Sequence, residues 1–300
     1  MQIYKNGINH ILKTNVMTPP TRTGTRTLIV HPMYVRYDLS TGKFPLLTTR
    51  KMNFHATAAE LDGFLKGITD KKWYQDNGCN FWNEWANQTV VRQKMIEQGI
   101  SPDDNAARKE LQKSERDIFS GYGWEWVHSG AEYRGYNADY TGHGVNQLSE
   151  IISSLAKNKV DRQLIMTAWT PANKTTYALP PCIYDYHFYS HEGKTLNLTY
   201  NQRSADMCLG MPNDFASCAL LLILVARAAK MKPSIVNANL EIPHIYEPHI
   251  EKIREQMTRR VKELPTLELK DGVDCFNFNY ADVELKNYRH HKFISYERSV

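Results

Sequence analysis

Apolar and polar residues alternate along 183–189 and again along 196–200, a period of two that predicts a pair of half-buried strands. Elsewhere the period lengthens. Val145, Leu148, Ile151, Ile152 and Leu155 recur at helical spacing, so 145–157 reads as an amphipathic helix. Residues 55–66 place Ala56, Ala59, Leu61, Phe64 and Leu65 on a partly apolar helical face, with Glu60 beside it. Residues 216–230 are apolar on nearly every side and read as a buried central helix. Strands are predicted at 27–30, 162–169 and 234–242. The segment from Pro243 reads as the start of a helix reaching about Val261, and 265–300 as short strands with a polar tail. The first twenty residues read as a short helix ended by Pro19-Pro20.

Residues 88–118 differ in character. Arg92, Lys94, Glu97, Asp103, Asp104, Arg108, Lys109, Glu110, Lys113, Glu115 and Arg116 make this a charged helical insertion that carries little core. No repeat or low-complexity linker divides the chain. The pattern predicts one α/β (α+β) catalytic domain over 1–300, with the insertion at its periphery.

Composition narrows the function. The chain has 300 residues, 42% of them apolar, enough for a substantial core. The net charge of +5 suits an anionic small ligand. Its basic residues are scattered and no nucleic-acid motif appears, so no direct nucleic-acid contact is expected. The five cysteines are odd in number and lack CxxC or zinc-ligand spacing. That points away from a disulfide framework or a metal site and towards a reducing, cytoplasmic setting. The N-terminus lacks the apolar stretch of a signal peptide, and the apolar run 216–226 is shorter than the roughly 20 residues a bilayer requires, so no membrane is expected.

The candidate chemistry gathers in 179–217. Leu179-Pro180-Pro181-Cys182 presents a thiol on a stiff turn, and Gln202-Arg203-Ser204 ends the second alternating strand. A guanidinium beside a thiol favours the thiolate, the reactive form; a buried, inert cysteine is the alternative. The Gly/Pro loop at 209–213 leads to Asp214 at an expected helix start, where an aspartate serves either as N-cap or as a reader of a ligand. Thr21-Arg22-Thr23-Gly24-Thr25-Arg26-Thr27 reads as an anion-holding loop or a solvated turn. The dense aromatics Phe81, Trp82 and Trp85 are core or a stacking wall for a planar ligand. Glu60 becomes a proton carrier only if its helix lines a pocket.

An ordered set of motifs resembles the thymidylate synthase family over most of the chain: Arg22-Thr23-Gly24-Thr25, Glu60 with Phe64-Leu65-Lys66-Gly67, Trp82 with Glu84-Trp85, Tyr122-Gly123, Arg162 through Ala168-Trp169, Pro181-Cys182, Gln202-Arg203-Ser204 with Asp206, Leu209-Gly210-Met211-Pro212, Ala216-Ser217, and His244-Ile245-Tyr246. The resemblance implies a mixed sheet, a buried central helix and flanking helices. It implies that Cys182 attacks C6 of a pyrimidine nucleoside monophosphate, and that 5,10-methylenetetrahydrofolate is the co-substrate. Arg203, Arg22, Ser204 and the partner subunit's copy of Arg162 would hold phosphate in a homodimer with a shared active site. Gln202, Asp206, His244 and Tyr246 would complete the nucleotide site. Glu60, Trp82, Trp85, Asp206 and Gly210 would face the folate.

Three positions depart from the methylating members. Gln163 stands where a second cross-subunit arginine is usual, Ile183 where histidine follows the nucleophile, and Asp214 where asparagine reads the O4/N3 edge of uracil. An ionised carboxylate only accepts hydrogen bonds, whereas cytosine offers an N4 amino donor. The run Asn213-Asp214-Phe215-Ala216 resembles the phage deoxycytidylate hydroxymethylase branch. Hydroxymethylation of dCMP is therefore the expected reaction, against reductive methylation of dUMP or dCMP.

Overall fold

The computed structural model describes residues 2–21, 24–119, 121–157 and 159–298. Helix α1 (Gln2–Thr14) is followed by short strands β1 (Val16–Met17) and β2 (Thr27–Ile29), then β3 (Met33–Asp38). Next come helices α2 (Phe54–Leu65), α3 (Lys71–Asp76), α4 (Gln88–Glu97), α5 (Asn105–Ser114), α6 (Gly121–His128) and α7 (Gln147–Lys157). Then follow β4 (Ile165–Thr167), β5 (Ile183–His191), β6 (Thr195–Gln202), β7 (Ala205–Asp206) and α8 (Gly210–Ala228). The chain closes with β8 (Lys232–Leu240), β9 (Pro243–Tyr246), α9 (Ile250–Thr258), β10 (Thr266–Leu269) and β11 (Val283–Lys286).

The main sheet runs β3-β8-β6-β5-β4. Strands β6 and β8 are parallel and the other neighbours antiparallel. A parallel pair needs a crossover, and α8 supplies it. This explains why α8 is apolar almost all round: it packs on β6 and β8 on one side and on α2 on the other. By length and composition α8 could cross a membrane, but most of it lies buried inside the protein. A second, smaller sheet runs β1-β2-β9-β7.

Three local expectations change. Helix α8 starts at Gly210 rather than near Ala216. Pro212 is accommodated because a first-turn residue has no intrahelical N–H partner to lose. Asp214 is thus a full turn inside the helix and is no N-cap. Residues 243–246 form a strand rather than a helix start, because β2 and β7 offer hydrogen-bonding edges on either side. Only 165–167 of the predicted 162–169 segment pairs as strand.

Candidate active site

The β5–β6 hairpin builds the centre. Its register pairs Ile183 with Gln202. The next step outward sets Cys182 beside Arg203, whose N–H donates to the Cys182 carbonyl (2.9 Å). The Arg203 guanidinium braces the turn: Nε donates to the Pro181 carbonyl (2.9 Å) and Nη2 to that of Pro180 (2.7 Å). It also lies 5.6 Å from the Trp169 ring centroid. From the other side, the Tyr122 hydroxyl accepts the backbone N–H groups of Cys182 (2.8 Å) and Ile183 (3.2 Å). The glycines around Tyr122 allow this approach. A Cβ on Gly121 would sit 2.3 Å from Pro181 Cγ, and one on Gly123 would sit 2.8 Å from Phe64 Cα.

A cavity of about 970 Å³ opens in front of Cys182. Glu60, Trp82, Trp85, Cys182, Gln202, Arg203, Ser204, Asp206, Gly210, Asp214, His244 and Tyr246 all line it, so the structure brings together residues spread over most of the chain. Arg162 is exposed and does not line the cavity of its own chain. Arg22 lies outside the described residues. Elsewhere on the lining, His244 Nδ1 donates to the Ile242 carbonyl (2.9 Å), and its ring packs edge-on against Tyr246. Phe81, Trp82, Trp85, Leu179, Leu209 and Leu221 make another part of the lining aromatic and apolar. A flat heterocycle fits this donor-poor, ring-lined space.

The floor carries two carboxyls. Glu60 accepts from Trp82 Nε1 (2.9 Å). Asp214 accepts from Gln202 Nε2 at Oδ2 (2.7 Å), and Gln202 itself is buried. Both carboxyls touch the cavity, yet protein surrounds them. Burial pushes Asp214 up to about 7, with the charge of Asp206 adding to the effect and the Gln202 hydrogen bond opposing it. Glu60 is pushed up to about 8, first by burial and then by the negative charge of Asp214. Asn213 ties this floor together, accepting from Thr57 Oγ1 of α2 (3.1 Å) and donating to the Leu209 carbonyl (2.8 Å).

Sequence reasoning missed the roles of Tyr122 and Arg298. Tyr122 lies 60 residues before its partner, and no local pattern marks where its hydroxyl points. Arg298 lines the cavity from the C-terminal segment and donates to the Asn80 carbonyl (3.0 Å). Tyr296 anchors that segment through a hydrogen bond to Gln256 Oε1 (2.7 Å). Asp206, Cys208 and His249 offer ligand atoms within 4.8 Å of one another. Arg50 Nη2 donates to the Cys208 carbonyl (2.7 Å), and Asp206 Oδ1 accepts the N–H groups of Cys208 and Leu209, so a cation there would face a guanidinium. We assign no metal to it.

A thiol, a guanidinium and two half-buried carboxyls thus surround one partly aromatic cavity of a mixed α/β chain, an arrangement suited to transforming a small molecule. The sequence profile described as "Thymidylate synthase" matches residues 2–300. The thymidylate synthase of Mycoplasma genitalium is 38% identical over 276 residues, 91% of each chain. The thymidylate synthase of Saccharomyces cerevisiae is 36% identical, covering 94% of this chain and 91% of the yeast protein. That of Homo sapiens is 36% identical, covering 99% of this chain and 90% of the human one. The chain belongs to the thymidylate synthase family. It is accordingly a folate-dependent one-carbon transferase, of a family that binds a pyrimidine nucleotide and methylenetetrahydrofolate.

Proposed function

We propose that this enzyme hydroxymethylates C5 of dCMP: dCMP, methylenetetrahydrofolate and water yield 5-hydroxymethyl-dCMP and tetrahydrofolate. The observation that carries the reading is the Asp214 carboxyl, held by Gln202 at the cavity floor and poised near neutrality. Neutral, the carboxyl donates to N3 and accepts from N4 of cytosine; ionised, it still accepts from N4, whereas against uracil it would face the lone pairs of O4.

The same group suits the chemistry. Addition of the Cys182 sulfur to C6 of cytosine shifts the ring electrons so that C5 becomes nucleophilic and negative charge gathers on N3. A proton from Asp214 at N3 stabilises that charge where it develops. Arg203 and Tyr122 hold the backbone of the nucleophile from two sides, which keeps the sulfur oriented. The folate supplies a one-carbon unit at the oxidation level of formaldehyde. Glu60, protonated near neutrality, moves protons at C5 and at the attacking water. Water as the final acceptor rests on the resemblance of residues 213–216 to the hydroxymethylating branch.

Reductive methylation is the second reading, favoured by the name carried by relatives 33–38% identical to this chain. Product mass from dCMP and dUMP, recorded together with dihydrofolate absorbance, separates the two. The expected result is a hydroxymethyl product from dCMP and no dihydrofolate; dihydrofolate formed in step with product would overturn the hydroxymethyl assignment.

Exposed Arg162 also fits a homodimer in which each chain completes the other's phosphate site. Arg162→Ala and Cys182→Ala chains, each inactive or weak alone, are expected to regain part of the activity as heterodimers. No recovery in verified heterodimers would sink the shared site.

A further inference from the structure

The segment 88–118 is more than a peripheral charged appendage, because its base is fastened to both walls of the cavity. Lys71, the first residue of α3, is 2% exposed. Its Nζ donates to the carbonyls of Gln112 (2.5 Å) and Lys113 (3.4 Å) at the C-terminal end of α5. It also donates to the Asn83 carbonyl (3.4 Å), in the turn between Trp82 and Trp85. On the nucleophile side, Gln88 at the start of α4 donates from its backbone N–H to the Thr176 carbonyl (3.1 Å) and from Nε2 to the Ala178 carbonyl (3.3 Å). Ala178 in turn donates to the Ile118 carbonyl (3.2 Å). Leu179-Pro180-Pro181-Cys182 follows directly. Gln112 Nε2 donates to Gln88 Oε1 (3.3 Å), which joins the two fastenings.

A small separate apolar centre of Ala86, Val91 and Met95, flanked by Ile100 and Leu111, holds α4 and α5 together as one body. A buried ammonium is costly unless acceptors surround it. Here it satisfies the last carbonyls of α5, which have no intrahelical donor and form the negative end of the helix dipole. The same cation bonds the aromatic turn, so α5 and that turn are held by one group.

We propose that Lys71 is a positioning residue that locks the 88–118 body against the turn bearing Trp82 and Trp85, so that this body sets the shape of the aromatic end of the cavity and its affinity for the planar folate co-substrate. The inference rests on the assignment of that end to the folate. Coupling of this kind is reciprocal: a ligand that orders the turn also orders the end of α5.

Two measurements on the full-length enzyme test it. Lys71→Met keeps the length of the stem and removes the ammonium. Its folate Kd, from tryptophan quenching with nucleotide present, and its folate KM are expected to rise about tenfold, the loss of one strong buried contact. Its kcat and nucleotide KM are expected to stay within about twofold. In the unaltered enzyme, methylenetetrahydrofolate is expected to slow amide hydrogen exchange in 80–86 and 111–116 together. Unchanged folate affinity in folded Lys71→Met, or protection confined to 80–86, overturns the proposal. Should the variant fail to fold, the exchange measurement decides alone. No folate binding by the unaltered enzyme would overturn the folate assignment itself, and this inference with it.

Discussion

Replacement of Cys182 by alanine is expected to lower kcat by about 10⁴-fold or more, while nucleotide binding persists within a few-fold. In the proposed mechanism the sulfur forms the covalent bond, whereas the phosphate and base contacts would fall to other residues lining the cavity. Alkylation provides an independent check. Cys79, Cys208, Cys218 and Cys275 are buried, and burial pushes each of their thiols up. Cys182 is half-exposed at the cavity wall. Brief iodoacetamide treatment of the folded enzyme should therefore label Cys182 first, and saturating nucleotide should protect it. Peptide mass mapping that finds another cysteine labelled first, or a Cys182→Ala enzyme keeping more than about 1% of kcat, would remove the residue from the chemistry.

Asp214→Asn is expected to invert the base preference, shifting the ratio of kcat/KM for dCMP over dUMP by about 10³-fold. In the unaltered site, cytosine N3 is a far better base than uracil O4, so a proton shared with Asp214 is held more firmly by cytosine. An ionised Asp214 facing O4 would set lone pairs against lone pairs. An amide cannot give up a proton to N3, but its Nδ2 offers O4 a permanent donor, which the carboxyl loses on ionising. Steady-state kinetics with both nucleotides reads this directly; an unchanged ratio would return Asp214 to a structural role.

The same substitution has a signature in stability. Asp214 and Glu60 are both raised above their ordinary values of 3.8 and 4.5, to about 7 and about 8. The native protein therefore binds more protons than the unfolded chain between roughly pH 4 and 8, and its stability falls as pH rises through that window. Asp214→Asn removes one of these protons, and it also removes the negative charge that helps raise Glu60. Urea midpoints at pH 5.5 and 8.5 should differ less in the variant than in the unaltered enzyme. An equal or larger difference would contradict the raised Asp214 and Glu60 carboxyls.

Much of the site was legible because its parts carry local signals. The alternation at 183–189 and 196–200 marked the hairpin, and the hairpin alone brings Cys182 beside Arg203. The apolar run after Pro212 marked the crossover helix. Other features were not legible for identifiable reasons. The start of α8 at Gly210 is hidden in the sequence because Gly and Pro signal a loop unless tertiary contacts place them in a first turn. The strand at 243–246 has no period of its own to reveal it; its edges are completed by residues 27–29 and 205–206. The charged surface of 88–118 concealed that its base grips both cavity walls, since the gripping groups are mostly backbone carbonyls.

The sequence by itself determined the chemical inventory: a thiol on a Pro-Pro turn, an arginine one strand away, and an aspartate at the position that the family resemblance implies reads the base. Those are matters of residue type and short spacing, which the chain carries locally. Only the tertiary structure decided what the groups do to one another. It packed protein around Glu60 of α2 and Asp214 of α8, and set the charge of Asp214 where it acts on Glu60 and that of Asp206 where it acts on Asp214, which displaced both from ordinary ionisation. It set Tyr122 under the nucleophile's backbone and a buried Lys71 between α5 and the aromatic turn. Desolvation and long-range hydrogen bonding depend on what packs around a group, and the three-dimensional arrangement alone settles that.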